Sequence, residues 1–205
     1  MGHRCPKSKP WCYTLGVSSS ASESGTRNRT RRAILAAAAS TLARDRKATL
    51  ADIAEAAQVG RSTLHRYFPD RKELMEAAIV DAFQAVEESV REAVIDQGPA
   101  LEAMRRLISA MIDVGDRLAF LFGDSRLLEE YTAAFEPDMT VPTTISLIER
   151  GQAEGVFDPS LTPEWIQHVI WALTYTGWEA AEKGELPRHG VTAAVIRTFE
   201  NGVVT

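Results

Sequence analysis

Apolar residues in this chain recur every three or four positions, and the breaks between runs fall at Gly and Pro, the mark of amphipathic helices joined by short turns. Ile34, Leu35, Ala38 and Leu42 predict a helix over 33–43 capped by Thr30; Leu50, Ile53, Ala54 and Ala57 predict a second ending near Gln58. Thr49 supplies the second N-cap, with Asp52 three residues on as a shortened capping box. Val59-Gly60 then reverse the chain, since Gly takes left-handed angles freely and Val59 plugs the angle between helices. A third short helix over 61–68 turns Leu64 and Phe68 inward and stops at Pro69. Asp70 caps a fourth over 71–95, where Leu74, Ala78, Ala82, Ala85, Val86 and Val90 keep the period.

Gly98-Pro99 end that run. A helix over 100–114 turns Leu101, Met104, Leu107, Ile108 and Met111 inward, and another over 116–135 carries a break at Gly123-Asp124. Pro137 and Pro142 mark the next boundary, and Ile145, Leu147 and Ile148 carry a helix to Gly151 or Gly155. After a loop at 156–159, Thr162-Pro163 start a helix over 163–183, Pro lying at the first helical position, and a last one covers 190–201. No strand period and no internal repeat follow the third helix. The fold class is therefore all-α.

The helix over 61–68 carries the chemistry. Opposite Leu64 and Phe68 it presents Arg61, Ser62, Thr63, His65, Arg66 and Tyr67, a dense set of hydrogen-bonding groups suited to base edges and phosphates in a major groove. The bland reading is a helical hairpin with a solvated charged face. Charge distribution opposes it: the net −5 conceals 14 Lys and Arg against 5 Asp and Glu in residues 1–72, and 9 against 23 in residues 73–205. A basic amino-terminal third fits a phosphate-binding module, and DNA repels the acidic remainder.

Arg27, Arg29, Arg31 and Arg32 precede the first helix as an arm that either reaches a minor groove or phosphates, or is a disordered basic tail adding nonspecific affinity. Residues 1–25 have mixed polarity and lack the apolar centre of a signal peptide, which predicts a disordered tail. Cys5 and Cys12, both in that tail, form no metal signature with His3 and are expected to be free thiols. No apolar run approaches the roughly 18 residues needed to cross a membrane; a cytoplasmic protein is expected.

The residues Ile53-Ala54-Glu55-Ala56-Ala57, Val59, Ser62-Thr63-Leu64, Arg66-Tyr67-Phe68-Pro69 and Lys72-Glu73-Leu74 resemble the DNA-binding domain of the tetracycline-repressor-like (TetR/AcrR) family of bacterial transcription regulators, with turn, reading helix and following Pro in register. His65 stands where the family usually has Tyr, and Gly60 where it often has Ser. Arg71 takes the place of a basic residue that in the family touches a phosphate. The resemblance implies a helix-turn-helix domain over 26–72 and a helical effector-binding and dimerisation domain over 73–205. The DNA-contacting set is then Arg27, Arg29, Thr49, Arg61, Ser62, Thr63, His65, Arg66, Tyr67 and Arg71.

It further implies a homodimer on a palindromic DNA operator, relieved by a small molecule that shifts the fourth helix. Two stripes on 163–183 support a partner surface, because two apolar faces on one helix are hard to satisfy in a monomer. One comprises Ile166, Val169, Ile170, Leu173, Gly177 and Ala180 and is expected at the dimer interface; Trp171, Tyr175 and Trp178 form the other. Candidates for lining an apolar or aromatic effector site are Phe83, Met104, Met111, Phe120, Phe122, Tyr131, Trp171, Tyr175 and Trp178, each of which also suits plain core packing. Glu164 and His168 share a helix face, but two ligands do not make a metal site. No cofactor is expected. Without a phosphate loop, nucleophile elbow or HExxH motif the chain is not expected to be an enzyme. The alternative to a regulator is a nonspecific helical DNA-binding or interaction protein without an effector.

Overall fold

The computed structural model describes residues 17–123 and 142–204. Among these the chain forms helices α1 (Val17–Arg44), α2 (Leu50–Ala56), α3 (Arg61–Tyr67), α4 (Arg71–Glu92), α5 (Ala100–Asp113), α6 (Gly115–Phe122), α7 (Pro142–Ala153), α8 (Pro163–Glu182) and α9 (Val191–Val203), with a 3-10 turn at Arg188–Gly190. The described residues contain no strand, only one isolated antiparallel bridge between Phe157 and Val204. None of the described helices is long and apolar enough to cross a membrane.

Two apolar cores share the chain. The first, in the reading head, joins Ile34, Leu35 and Leu42 of α1, Ile53 of α2, Leu64 of α3 and Leu74 and Ile79 of α4, and is closed by Phe120 and Leu121 from the end of α6. The second, in the body, gathers Met104, Leu107 and Ile108 of α5, Leu147 and Ile148 of α7, Ile166 and Ile170 of α8, and Val195 and Phe199 of α9. Helix α4 serves both, placing Leu74 to Ala82 in the head and Val90 in the body. The head core thus reaches past residue 72, where the sequence suggested a boundary. Arginines cap carbonyls left open where helices end: beyond α4, Arg106 donates to the carbonyls of Ala93 (2.8 Å), Val94 (2.8 Å) and Gln97 (2.7 Å).

Local structure follows the expected signals with three corrections. The capping box of α2 is present: the Asp52 carboxylate accepts from the Thr49 N–H at 2.7 Å, and the Thr49 Oγ1 accepts from the Asp52 N–H at 3.3 Å. The turn, however, places Gln58, not Gly60, at positive φ (55°), while Gly60 sits at φ −67°, ψ 148° as the N-cap of α3. The reversal occurs where α2 runs out of helical hydrogen bonds, two residues before Gly60. The first helix begins at Val17 instead of 33, so residues 17–25 are helical, not part of a disordered tail, and Thr30 is no cap: its hydroxyl donates to the Thr26 carbonyl at 3.0 Å. Once α1 is nucleated on its buried Ile34–Leu42 face, each further residue adds a hydrogen bond without a new nucleus.

Candidate nucleic-acid interface and effector stack

Helix α3 is held from beneath. Leu64 and Phe68 are buried, and the guanidinium of Arg31 on α1 lies 5.4 Å from the Phe68 ring centroid, a cation–π contact at the base of the helix. Arg61, Ser62, His65 and Arg66 are exposed, while Thr63 and Tyr67 are half-buried. Arg66 rests its guanidinium 5.8 Å from the Tyr67 ring centroid. The Nδ1 of His65 lies 3.3 Å from the Pro69 carbonyl oxygen; since that oxygen can only accept, Nδ1 is the donor in this contact.

The remaining expected DNA contacts divide. Arg27 and Arg29 are exposed on α1, not on a flexible arm, and Arg29 donates to the Thr26 Oγ1 at 3.1 Å. Thr49 is exposed, but its hydroxyl donates to Asp52 at 2.8 Å, so it is spent on positioning α2. The Thr49 N–H and hydroxyl, with the charge of Arg61 contributing less, hold the Asp52 carboxyl below the usual carboxylate range. Arg71, expected at a phosphate, is turned inward: it donates to the Ala48 carbonyl at 2.6 Å and more weakly to that of Arg46 at 3.4 Å. Both acceptors are carbonyls of the α1–α2 turn.

The aromatic candidates do not form one group. Phe83 of α4 meets Phe122 edge to face at 6.3 Å, and Phe122 stacks on Trp171 of α8 at 6.0 Å with an interplanar angle of 16°. His168 sits edge-on to Trp171 at 6.0 Å. Phe122 remains 40% exposed, so this stack is open to a further ring. Phe120 does not belong to it, being fully buried in the head core; Met104 and Met111 lie in the body core. These three stand apart from the stack, Phe120 because it lies two positions before Phe122 and so on the other side of α6, the two methionines because they lie on the core face of α5. Trp178 packs on Gly115, where a Cβ would stand 2.5 Å from its ring, and Tyr175 lies beside Trp178 at 6.4 Å. Tyr131 lies outside the described residues. Among the described residues no group of three or more His, Cys, Asp or Glu could hold a metal ion.

The stripe expected at the dimer interface faces its own subunit instead. Ile166 and Ile170 are buried in the body core with Gly177, whose absent Cβ makes room for Val195; Val169 and Leu173 pack against the same core half-buried, and Ala180 is half-buried. On one arc α8 leaves outside Trp165 (57% exposed), Ala172 and Thr176, with Val169 at the edge; Glu164, His168 and Tyr175 (37%) are exposed beside it. That i, i+4, i+7, i+11 spacing was present in the sequence, masked by the more apolar stripe beside it. Also missed was the ion pair between Arg44 at the end of α1 and Glu182 at the end of α8, a carboxylate shared with Arg188.

Residues 34–78 match the profile described as bacterial regulatory proteins, tetR family. Over 183 residues, 89% of this chain and 95% of the relative, the sequence is 36% identical to the HTH-type transcriptional repressor LfrR of Mycolicibacterium smegmatis. Over 158 residues, 76% of this chain and 84% of the relative, it is 27% identical to the HTH-type transcriptional regulator NfxB of Pseudomonas aeruginosa. The fold matches the crystal structure of the TetR-like regulator LfrR from Mycobacterium smegmatis with a TM-score of 0.70 at 34% identity, covering 88% of this chain and 99% of that one. It matches the LfrR complex with proflavine with a TM-score of 0.62 at 33% identity, covering 86% and 98%. A family-specific head, a full-length relative and a shared fold agree: this chain belongs to the tetR family of bacterial regulatory proteins and is a DNA-binding transcriptional regulator.

Proposed function

We propose that this protein is a cytoplasmic repressor that binds a palindromic operator as a homodimer and releases it when a small planar aromatic molecule binds. The observation that carries the reading is the exposed face of α3: Arg61, Ser62, His65 and Arg66 project from a helix whose other side is anchored in the head core. So short a helix reads only a few base pairs, and a two-fold pair reading half-sites roughly 34–36 Å apart supplies the missing specificity. The outer arc of α8, with Trp165, Val169, Ala172 and Thr176, is the partner-facing surface in this reading. The open Phe83–Phe122–Trp171 stack is matched to a flat ring system. Proflavine, seen bound to LfrR, is the probe to try first.

The test is selection of bound sequences from a random duplex library, followed by anisotropy titration of the selected duplex with and without proflavine. A single enriched palindrome and an affinity loss of about 30- to 150-fold at saturating proflavine support the proposal, a coupling of about 2 to 3 kcal/mol. Binding without enrichment removes the operator reading; enrichment without a proflavine effect removes this class of effector.

A further inference from the structure

We infer that Arg46, in the turn between α1 and α2, is the positioning residue through which the last turn of α6 sets the pose of the reading head. The inference deepens the effector-relieved reading proposed above by naming the contact that carries the signal. The Arg46 guanidinium donates to the carbonyls of Ala119 at 2.7 Å and Phe120 at 2.9 Å, near the carboxy-terminal end of α6. Carbonyls at a helix end carry the negative pole of the helix dipole, and a planar cation with several donors matches them; the Ala119 carbonyl accepts from Arg46 as well as from the Gly123 N–H at 3.0 Å. The grip is close: a Cβ on Gly123, just past the helix, would stand 2.7 Å from the Arg46 Nη2.

Three consecutive residues of α6 then do different things. Phe120 and Leu121 are buried in the head core, whereas Phe122 stacks on Trp171 and meets Phe83. A ligand that moves Phe122 must therefore move the carbonyls one turn back, which Arg46 holds. On the other side, the Arg46 and Ala48 carbonyls accept from Arg71 at the start of α4, and Thr49, next after Ala48, caps α2. A displacement of the α6 end is thus delivered to the turn that positions both α2 and the start of α4, and α3 lies between these two helices. Helix α4 spans both cores, and α6 touches both, Leu118 packing on the body core and Phe120 and Leu121 on the head core; Arg46 adds a connection made by a side chain.

The test is a double-mutant cycle on the full chain with Arg46→Met and Phe122→Ala, each read as the Kd for the selected duplex at fixed salt. Neither residue is a candidate DNA contact, so a merely structural role predicts additive effects. Phe122→Ala is expected to change Kd by about fivefold or more with Arg46 present and less than about twofold in the Arg46→Met chain. Arg46→Lys, which keeps part of the donor set, should fall between them and replaces Arg46→Met if thermal unfolding shows that variant is not folded. Additivity in the cycle overturns the inference. In a second arm, saturating proflavine is expected to weaken duplex binding of the Arg46→Met chain by less than about fivefold, with proflavine affinity unchanged. Equal weakening of both chains overturns the inference. Failure of proflavine to bind the unmodified chain counts against the proposed effector class, and the cycle then decides on Arg46 alone.

Discussion

Helices α3 and α8 each bury one face and leave the other bare, and the bare faces differ in kind. On α3, Leu64 goes inward while Arg61, Ser62, His65 and Arg66 meet solvent; on α8, Ile166, Ile170 and Gly177 go inward while Trp165, Ala172 and Thr176 meet solvent. A polar outer face is fully hydrated alone and gains only from a partner offering acceptors in the right places, whereas an apolar one gains from any complementary surface that excludes water. The first arrangement suits sequence reading, the second suits permanent association. Electrostatics separate the regions the same way, since basic residues dominate the first 72 positions and acidic residues the rest.

The largest effect should come from the base of the reading helix. Leu64→Ala removes a fully buried side chain from the small head core and is expected to cost about 2 to 5 kcal/mol in urea unfolding, with duplex binding lost; retained operator affinity would break the claim that α3 is positioned by its buried face. Arg66→Ala touches only the outer face, so unfolding should be unchanged while preference at one operator position relaxes by about 1 to 3 kcal/mol, measured by competition among duplexes. Trp165→Ser is the matching change on α8: sedimentation should show the dimer dissociation constant rising about tenfold or more, and no change would move the partner surface elsewhere.

Smaller effects sharpen the contrast. The Arg44 hydrogen bond holds the Glu182 carboxyl below its ordinary range against a modest burial penalty. A carboxyl with a lowered folded-state value stabilises above its unfolded value, near pH 4.3, and loses that contribution as pH falls through the folded value. The melting-temperature gap between the unmodified chain and Glu182→Gln should therefore be constant from pH 6 to 8 and close in acid; a gap independent of pH would show the ion pair contributes nothing. Gly60→Ser should raise stability by only a few tenths of a kcal/mol, because Gly60 caps α3 without a side-chain acceptor and a Ser Oγ could receive the open N–H groups. Its Cβ would meet nothing nearer than the Ser62 Oγ at 3.8 Å.

The head was legible where its structure is local. Thr49, Asp52, Asp70 and Pro69 act within four residues of themselves, so spacing alone placed the starts of α2 and α4 and the end of α3. The amino-terminal extension of α1 was not legible, because residues 17–32 carry no apolar period and their helix borrows its nucleus from Ile34 onward. Arg71 is expected at a phosphate from its place in a motif; no local pattern shows that its guanidinium also donates to the Ala48 carbonyl, 23 positions back. On α8 the stripes Ile166 to Ala180 and Trp171, Tyr175 and Trp178 were read, but the arc with Trp165, Val169, Ala172 and Thr176 was not, and only packing shows that Ile166, Ile170 and Gly177 are covered by their own subunit.

The sequence by itself determined the all-α architecture, the reading helix and the charge asymmetry, because helix periodicity, capping and charge are properties of neighbouring residues. The tertiary structure alone decided which face of α8 stays open, which aromatics stack beside α6 rather than fill the cores, and where the guanidinium groups of Arg46 and Arg71 go. Those outcomes depend on which carbonyls and apolar surfaces from distant segments arrive within a few ångströms, and no local pattern records that.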